Sequence, residues 1–209
     1  CKHRHKINHI IHAACVARPV GKKEYQAEII KDSPEGRAAK KAMDTEWGRL
    51  EDNGVWHYST VREWSEVARE YRARGEAVHM GRLFGIMVEK GSELPRGHTG
   101  RKLKYRVVFG GHAVVDQFWE SAVFQDLGAS PATMPAGKNL DYWSCLPGHD
   151  GEQADAQQAY VQSKYTGTPT WLLLPEEKWP AEWKKKGYRQ PVVLMEKALY
   201  GHPDSGTFW

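Results

Sequence analysis

An aspartate and a tyrosine five residues apart form the segment of this chain best suited to phosphate chemistry. The segment runs Asp155-Ala156-Gln157-Gln158-Ala159-Tyr160, and we predict that a short strand ends and a helix begins at Asp155. A carboxylate at such a junction can hold a divalent metal ion against a phosphate, toward which the amides of the first helical turn also point. The alternative is a simple helix cap, because Asp155 and Gln158 have the spacing of a capping box.

Tyr160 lies one helical turn beyond Asp155 in this interpretation. Its ring would lie beneath the sugar of a bound nucleotide and exclude a 2′-hydroxyl; the alternative is an ordinary half-buried aromatic side chain. Phosphoryl transfer to a hydroxyl is commonly run by two metal ions about 4 Å apart. One aspartate cannot hold both ions, so at least one further carboxylate has to come from elsewhere.

Three basic side chains share one face of a predicted strand, and we call them the cation row. They are Lys102, Lys104 and Arg106, which alternate with the apolar Leu103, Tyr105, Val107 and Phe109. Side chains two apart on a strand face the same way, so the cations stand about 6.5–7 Å from one another. Arg grips phosphate oxygens with a bidentate fork and Lys acts as a point charge, so the row suits a polyphosphate or a nucleic-acid backbone. The alternative is a solvated face on an exposed hairpin.

A glycine turn near the end of the sequence is the third feature. Tyr200-Gly201 is followed by Asp204-Ser205-Gly206, which predicts a turn before a helix. Gly201 lacks a Cβ atom and so allows a close approach of two backbones. Taken alone, this run predicts a turn and no function.

Composition places the chain among folded globular proteins. Its 209 residues are 40% hydrophobic and 27% charged, which suits one sizeable domain. No apolar run approaches the roughly 18 residues of a membrane helix, so no membrane association is expected. The net charge of +4 is concentrated in residues 1–31, so overall charge is no argument for nucleic-acid binding. Three cysteines without a pairing pattern favour a reducing, intracellular location, in cytoplasm or nucleus.

The order of predicted elements favours an α+β fold. A helix starts at Ser33-Pro34 and ends at Asn53-Gly54, and a second starts at Thr60 with a capping box and ends at Gly75. Apolar residues at helical spacing predict the buried faces of both helices. The predicted strands are Val78–Glu89, Arg101–Phe109, Thr170–Leu174 and Val192–Met195. Weaker helical segments are predicted at Ser121–Leu127 and Ala136–Cys145, and loops at 91–100 and Pro175–Arg189.

Residues 1–32 are predicted to be a basic, His-rich linker or disordered arm, and residues 33–209 the folded domain. Zinc is the alternative for the arm, which contains His3, His5, His9, His12 and Cys15. Their spacing fits no two-pair zinc pattern, which favours a solvated basic arm. The chain begins with Cys and ends with Trp, so we expect a fragment of a longer protein.

In chain order, these features resemble the reverse transcriptase of copia-type (Ty/copia) retrotransposons. The resemblance spans about residues 36–209, and its motifs are fairly specific as an ordered set. They are a helix with a Trp element at 42–56, a Lys-x-Arg-x-Val strand followed by glycine at 104–111, Ser130-Pro131, an Asp-x-x-x-Ala-Tyr segment at 155–160, and an element at Leu194–Gly206 that contains Lys-Ala-Leu-Tyr-Gly.

The resemblance implies the fingers and the first part of the palm of an incomplete right-hand polymerase. Asp155, aided by the Ala156 carbonyl, would be the first ligand of catalytic Mg²⁺. Arg106, with Lys104 or Lys102, would hold the triphosphate of the incoming deoxynucleoside triphosphate. Tyr160 would be the sugar gate, and Tyr200 and Gly201 would pack against nucleotide and template. His202-Pro203-Asp204 departs from the Leu-Lys-Gln that is more usual in the family.

The downstream Asp-Asp hairpin of the family is absent, since no Asp-Asp occurs in the sequence. We therefore expect an inactive fragment of an RNA-directed DNA polymerase whose intact parent, a retrotransposon Pol polyprotein, transfers nucleotides by a two-metal mechanism. The implied partners are an RNA/DNA template-primer and neighbouring integrase and RNase H domains. Two alternatives stay open: a non-catalytic nucleic-acid-binding remnant that uses the cation row but not Asp155, and an unrelated α+β domain.

Overall fold

The computed structural model describes residues 17–124, 132–152 and 154–209. These ranges contain seven strands and six α-helices, so the α+β prediction is confirmed. The strands are β1 Ala17–Val20, β2 Arg62–Glu63, β3 His79–Lys90, β4 Lys102–Phe109, β5 Val115–Asp116, β6 Thr170–Leu173 and β7 Pro191–Leu194. The helices are α1 Lys22–Ile30, α2 Pro34–Asp52, α3 Trp64–Arg74, α4 Met134–Ser144, α5 Ala181–Lys185 and α6 Ser205–Phe208. None of the helices in these ranges has the length and apolar content needed to cross a membrane.

The long strand β3 joins the two halves of the sheet. Its first residues, 79–82, pair in parallel with β6, and β6 continues to β7 and then β2 in antiparallel pairs. Its later residues, 83–90, pair with β4 on one side, and 87–90 pair with β1 on the other. We call the β3–β4 hairpin the ribbon. It projects from the sheet because β3 is longer than the strands β6 and β7 that continue the sheet beside it.

Two hydrophobic clusters hold the sheet and the helices together. The larger lies between α2 and the inner face of the ribbon, where the rings of Trp47 and Trp56 meet edge-to-face at 5.8 Å. The smaller forms where α3 covers β3, β6 and β7, and Trp64 lies at its centre. The buried face predicted for the first of the two helices is confirmed, since Ala39, Trp47 and Leu50 are buried on α2.

Three predictions of secondary structure differ from the structure, and the first is the predicted loop Pro175–Arg189, which contains helix α5. The second helix begins at Trp64 and not at Thr60, because Arg62 and Glu63 pair with β7 instead. The carboxylate of Glu63 accepts the amides of Arg189 and Gln190, which fixes that extended conformation. Residues 121–124 contain no helix, and the remainder of the segment Ser121–Leu127 lies outside the described residues.

The described part of the predicted arm is folded, which corrects that prediction for residues 17–30. Strand β1 completes the sheet beside β3, and α1 packs on α2. Tyr25 of α1 is buried and meets the ring of Tyr105 edge-on at 6.4 Å. The candidate zinc residues His3 to Cys15 lie outside the described residues.

Ser33 caps α2 as its sequence predicts. Its hydroxyl accepts the Gly36 amide at 3.0 Å and donates to the Glu28 carbonyl at 3.3 Å, so it also ties α1 to α2. We expect Ser33→Ala to lower the free energy of unfolding by about 1 kcal/mol in urea titrations, because Gly36 loses its acceptor. Ser65→Ala, at an exposed position near the start of α3, is the matched control. Equal effects of the two substitutions would contradict the cap.

Candidate nucleotide-binding site

The cation row lies on the outer face of the ribbon, as the alternation of β4 predicts. The register of the ribbon places Lys104 opposite Val88 and Arg106 opposite Ile86. The inner residues Tyr105, Val107 and Phe109 are buried in the larger core. The strand pattern therefore fixes which side chains of β4 are free to meet a ligand.

Arg106 packs against an aromatic pair. Its guanidinium carbon lies 5.2 Å from the centre of the Tyr200 ring, which is cation–π distance. The Tyr200 ring in turn meets Tyr160 edge-on at 4.8 Å. Tyr160 is half-buried and Tyr200 is 48% exposed. Three residues singled out by the sequence motifs, from three distant segments, therefore meet on one surface.

Gly201 brings Tyr200 to the ribbon. The Phe109 amide donates to the Tyr200 carbonyl at 2.7 Å, which ties the end of β4 to the residue before Gly201. A Cβ atom at Gly201 would overlap the Phe109 carbonyl oxygen and lie 2.6 Å from Cγ1 of Val108. The backbone φ of Gly201 is +86°, in the region that favours glycine. The close backbone approach predicted at Gly201 is confirmed.

Of the charges that act on Lys104, the Asp155 carboxylate has the smallest effect. Partial burial lowers the pKa of the Lys104 ammonium, and the neighbouring cations Arg106 and Lys90 lower it further. The carboxylates of Glu46 and Asp155 act in the opposite direction, so Asp155 lies within electrostatic range of Lys104. No ion pair joins Asp155 to a cation within the described residues.

The local structure predicted around Asp155 is wrong, both as a strand–helix junction and as a helix cap. Asp155 lies in an exposed irregular stretch, and only a 3-10 helix, Ala159–Gln162, follows it. Gln158 interrupts any helix because its backbone is left-handed, with φ +52°. Its side-chain oxygen accepts the Asn53 amide group at 2.9 Å, which holds the turn against the end of α2.

The residues present do not fit a resident magnesium site. Asp155 and the Ala156 carbonyl supply two oxygen ligands at most, and an irregular chain replaces the predicted helix start. Across the described residues, no group of three or more His, Cys, Asp or Glu side chains is placed to hold a metal ion.

Lys102 stands apart from the other two cations. It lies two residues further toward the hairpin loop and opposite Lys90. It lines a cavity under that loop together with Arg96 and Arg101, and Arg101 is paired with Glu89 at 2.7 Å. The structure thus brings Lys104, Arg106, Asp155, Tyr160 and Tyr200 to one area, with Lys102 at its edge.

Sequence reasoning missed three exposed side chains beside this area. The indole ring of Trp209 lies 6.4 Å from Tyr160, and we call Tyr160, Tyr200 and Trp209 the aromatic cluster. Phe84 and Ile86, 40% and 42% exposed, stand on the outer face of β3. The signal for the latter two was available, because the alternation of β3 around Leu83 and Met87 points them outward.

The Ser130-Pro131 motif lies outside the described residues. The other quoted motifs lie within them, in the two cores or on the surface just described. Compared with protein-family models, with curated proteins and with solved structures, the chain matches none.

Proposed function

We propose that this chain forms the fingers and the first part of the palm of a copia-type RNA-directed DNA polymerase. In this proposal it binds a deoxynucleoside triphosphate and a template-primer at the surface between the ribbon and Asp155. Neighbouring domains of a Pol polyprotein, integrase and RNase H among them, would be its covalent partners. The remaining carboxylates and the Mg²⁺ ions of two-metal transfer would belong to the intact parent.

The contacts of Arg106 with Tyr200 and of Tyr200 with Tyr160 are the observation that supports the proposal most directly. A guanidinium over an aromatic ring keeps its outer N–H groups free for a bidentate grip on phosphate oxygens. An exposed tyrosine beside it offers a flat apolar surface to a sugar or a base. Lys104 adds a second positive charge at the spacing of two residues along β4.

The residues of the proposed site would have different roles in binding a nucleotide. Arg106 and Lys104 would neutralise and orient the phosphates, and the half-buried Tyr160 would limit the space beneath the sugar. Asp155 would repel a phosphate placed directly against it, so the phosphates would lie toward the cation row and the Asp155 carboxylate on their far side. The area supplies binding and orientation, and one carboxylate does not complete a nucleotidyl-transfer centre.

A nucleic-acid-binding module without catalysis is the second candidate function. Phe84 and Ile86 form an exposed apolar strip beside the cation row. Basic grooves flanked by exposed aromatic side chains bind single strands by charge and by base stacking. This function makes no use of Asp155, so Asp155→Asn separates the two: it would change nucleotide binding but leave single-strand binding unchanged or slightly stronger.

Arg106→Ala is expected to weaken nucleotide binding by about 10- to 100-fold, because each charge-assisted hydrogen bond is worth about 1.5–3 kcal/mol. Isothermal titration calorimetry with a deoxynucleoside triphosphate and Mg²⁺ measures the change. Arg69→Ala, an exposed arginine on α3, is the matched control and should leave the affinity unchanged. Equal affinity of the Arg106→Ala variant and the unaltered chain would contradict the proposed site.

The 209 residues alone are not expected to extend a primer. Asp155 is the only carboxylate that the resemblance assigns to the catalytic centre, and the sequence contains no Asp-Asp. A primer-extension assay with Mg²⁺, template-primer and all four nucleotides checks this. Metal-dependent synthesis that is lost in Asp155→Asn would contradict the expectation and place a complete centre in this chain.

A further inference from the structure

A buried histidine lies directly beneath the turn that presents Tyr200. His202 is only 4% exposed. Its ring packs among Phe109 at 4.8 Å, Tyr165 at 4.9 Å and Phe124 at 5.4 Å. A positive charge in this aromatic and apolar surrounding has no water to solvate it, so the neutral imidazole is strongly favoured.

Hydrogen bonds fix the protonation state of His202 independently of its burial. The backbone amide of Asp204 donates to Nδ1 at 3.2 Å, so Nδ1 must carry a lone pair and no proton. The ring hydrogen then lies on Nε2, which faces the Thr170 hydroxyl at 3.5 Å. The Thr170 hydroxyl is itself 2.9 Å from the Thr168 carbonyl, which takes its hydrogen and leaves its oxygen to accept from Nε2. A proton added at Nδ1 would point at the Asp204 N–H and break that bond.

The broken bond would belong to the turn that holds Tyr200, residues 199–205, which we call the Tyr200 turn. The turn is closed by the His202 amide to the Leu199 carbonyl at 3.2 Å. The Ser205 hydroxyl closes it a second time, since it donates to the Leu199 carbonyl and accepts the Leu199 amide. Because every one of these bonds lies within seven residues, the Asp204–Nδ1 bond belongs to the same network that positions Tyr200.

A second buried histidine reinforces the first. His79 is 7% exposed, and within the part of the chain that the structure describes its Nδ1 has no hydrogen-bond partner. Its ring meets Phe124, the same ring that packs on His202, at 5.0 Å. A charge on either imidazole disfavours a charge on the other, so the pair stays neutral while the turn is closed.

We propose that His202, with His79 behind it, forms a proton-operated latch on the Tyr200 turn. Uptake of a proton at Nδ1 of His202 opens the turn and withdraws Tyr200 from Arg106 and Tyr160. Acidification then lowers the affinity of the aromatic cluster for its ligand, and this last consequence rests on the proposed function. The opening of the Tyr200 turn on protonation of His202 does not depend on the proposed function.

Three other titratable groups lie near His202 and His79. Asp204 lies in the turn itself, Asp116 of β5 faces His79, and Tyr165 packs on His202. Burial raises the pKa of Asp204, and His79 acts on it in the opposite direction. Neither carboxylate is hydrogen-bonded to an imidazole among the described contacts, so neither stabilises a protonated His202 in place.

Amide hydrogen exchange of the chain without nucleotide tests the latch, so failure of the proposed function does not affect the result. Between pH 7 and pH 5 the protection factors of the Asp204 and Phe109 amides should fall by about 20-fold, as for a histidine that regains its ordinary pKa on opening. At each pH these two amides should exchange faster than those of the β6–β7 pair, because the turn opens without global unfolding. Equal protection of the turn amides and the β6–β7 amides would mean that the turn opens only on global unfolding and would overturn the proposal.

His202→Asn supplies the matched variant, because an asparagine oxygen can accept the Asp204 amide in the same kind of turn and cannot be protonated. Its Asp204 and Phe109 amides should keep constant protection from pH 7 to pH 5, whereas the exposed His112→Asn control should behave as the unaltered chain. A fall in His202→Asn equal to that of the unaltered chain would overturn the latch. A ¹⁵N spectrum of the unaltered chain supplies a second test: a proton on Nδ1 of His202 at pH 7 would overturn it without any variant.

Discussion

Replacing Gly201 by alanine is expected to lower the free energy of unfolding by about 3 kcal/mol, as for overpacking against rigid backbone. The new methyl group would overlap the Phe109 carbonyl oxygen, and no side-chain rotation relieves a clash with backbone. It would also break the 2.7 Å bond from the Phe109 amide to the Tyr200 carbonyl. Urea titration measures the loss, and nucleotide affinity should fall with it because Tyr200 moves away from Arg106.

Gly187→Ala is the matched control for this substitution. Gly187 also has a positive φ, +72°, but a Cβ atom there meets nothing within 4 Å. The Gly187→Ala substitution has the cost of placing alanine at a positive φ, about 1 kcal/mol, without the steric clash. Equal losses at the two positions would show that the approach of the Tyr200 turn to β4 is looser than the structure has it.

The ribbon is the part of the site that the sequence predicts best. Strand β4 alternates in hydrophobicity from Lys102 to Val107, and alternation decides which side chains are buried when one face covers a core. Lys104 and Arg106 therefore had to share the outer face. Gly201 was equally predictable, since a glycine before a turn of Asp204-Ser205-Gly206 signals a close approach of backbones.

The Asp155 segment was predicted wrongly because a distant residue decides its backbone. Gln158 adopts a left-handed conformation while its side chain binds Asn53, which lies 105 residues earlier. The capping-box pattern depends only on Asp155 and Gln158, so it gives no information about the contact with Asn53. The same limit applies to residues 17–30, where β1 is recruited by backbone bonds to the far end of β3.

His202 could not have been recognised from its neighbours in the sequence. The rings that bury it come from β4, from residue 124 and from residue 165, and none of these positions is close to it along the chain. Its short surrounding run of turn residues predicts an exposed histidine. Only the assembled fold makes it a buried, neutral group with consequences for stability.

The chain is expected to lose about 2 kcal/mol of stability between pH 7 and pH 5, and about 3 kcal/mol by pH 4, through His202 alone. Burial is the largest cause that lowers the pKa of this imidazole, from an ordinary 6.5 to about 4. Between these two pKa values, the His202 imidazole is therefore protonated in the unfolded chain and neutral in the folded chain. Stability is full above pH 6.5 and declines as the pH falls toward 4, and the lowered pKa of His79 acts in the same direction.

Urea titrations at pH 7, 6 and 5 measure the decline in stability. This pH range separates the effect of protonating His202 from the effect of protonating the carboxylates. Ion pairs with Arg18 and Arg62 hold the pKa of Glu24 and Glu70 below their ordinary values, so those groups release their stabilisation only at lower pH. His202→Asn should remove most of the slope, whereas the exposed His112→Asn should keep it. A stability that stays constant from pH 7 to pH 5 would mean that water reaches His202, and the packing of Phe109, Phe124 and Tyr165 around it would then have to be looser.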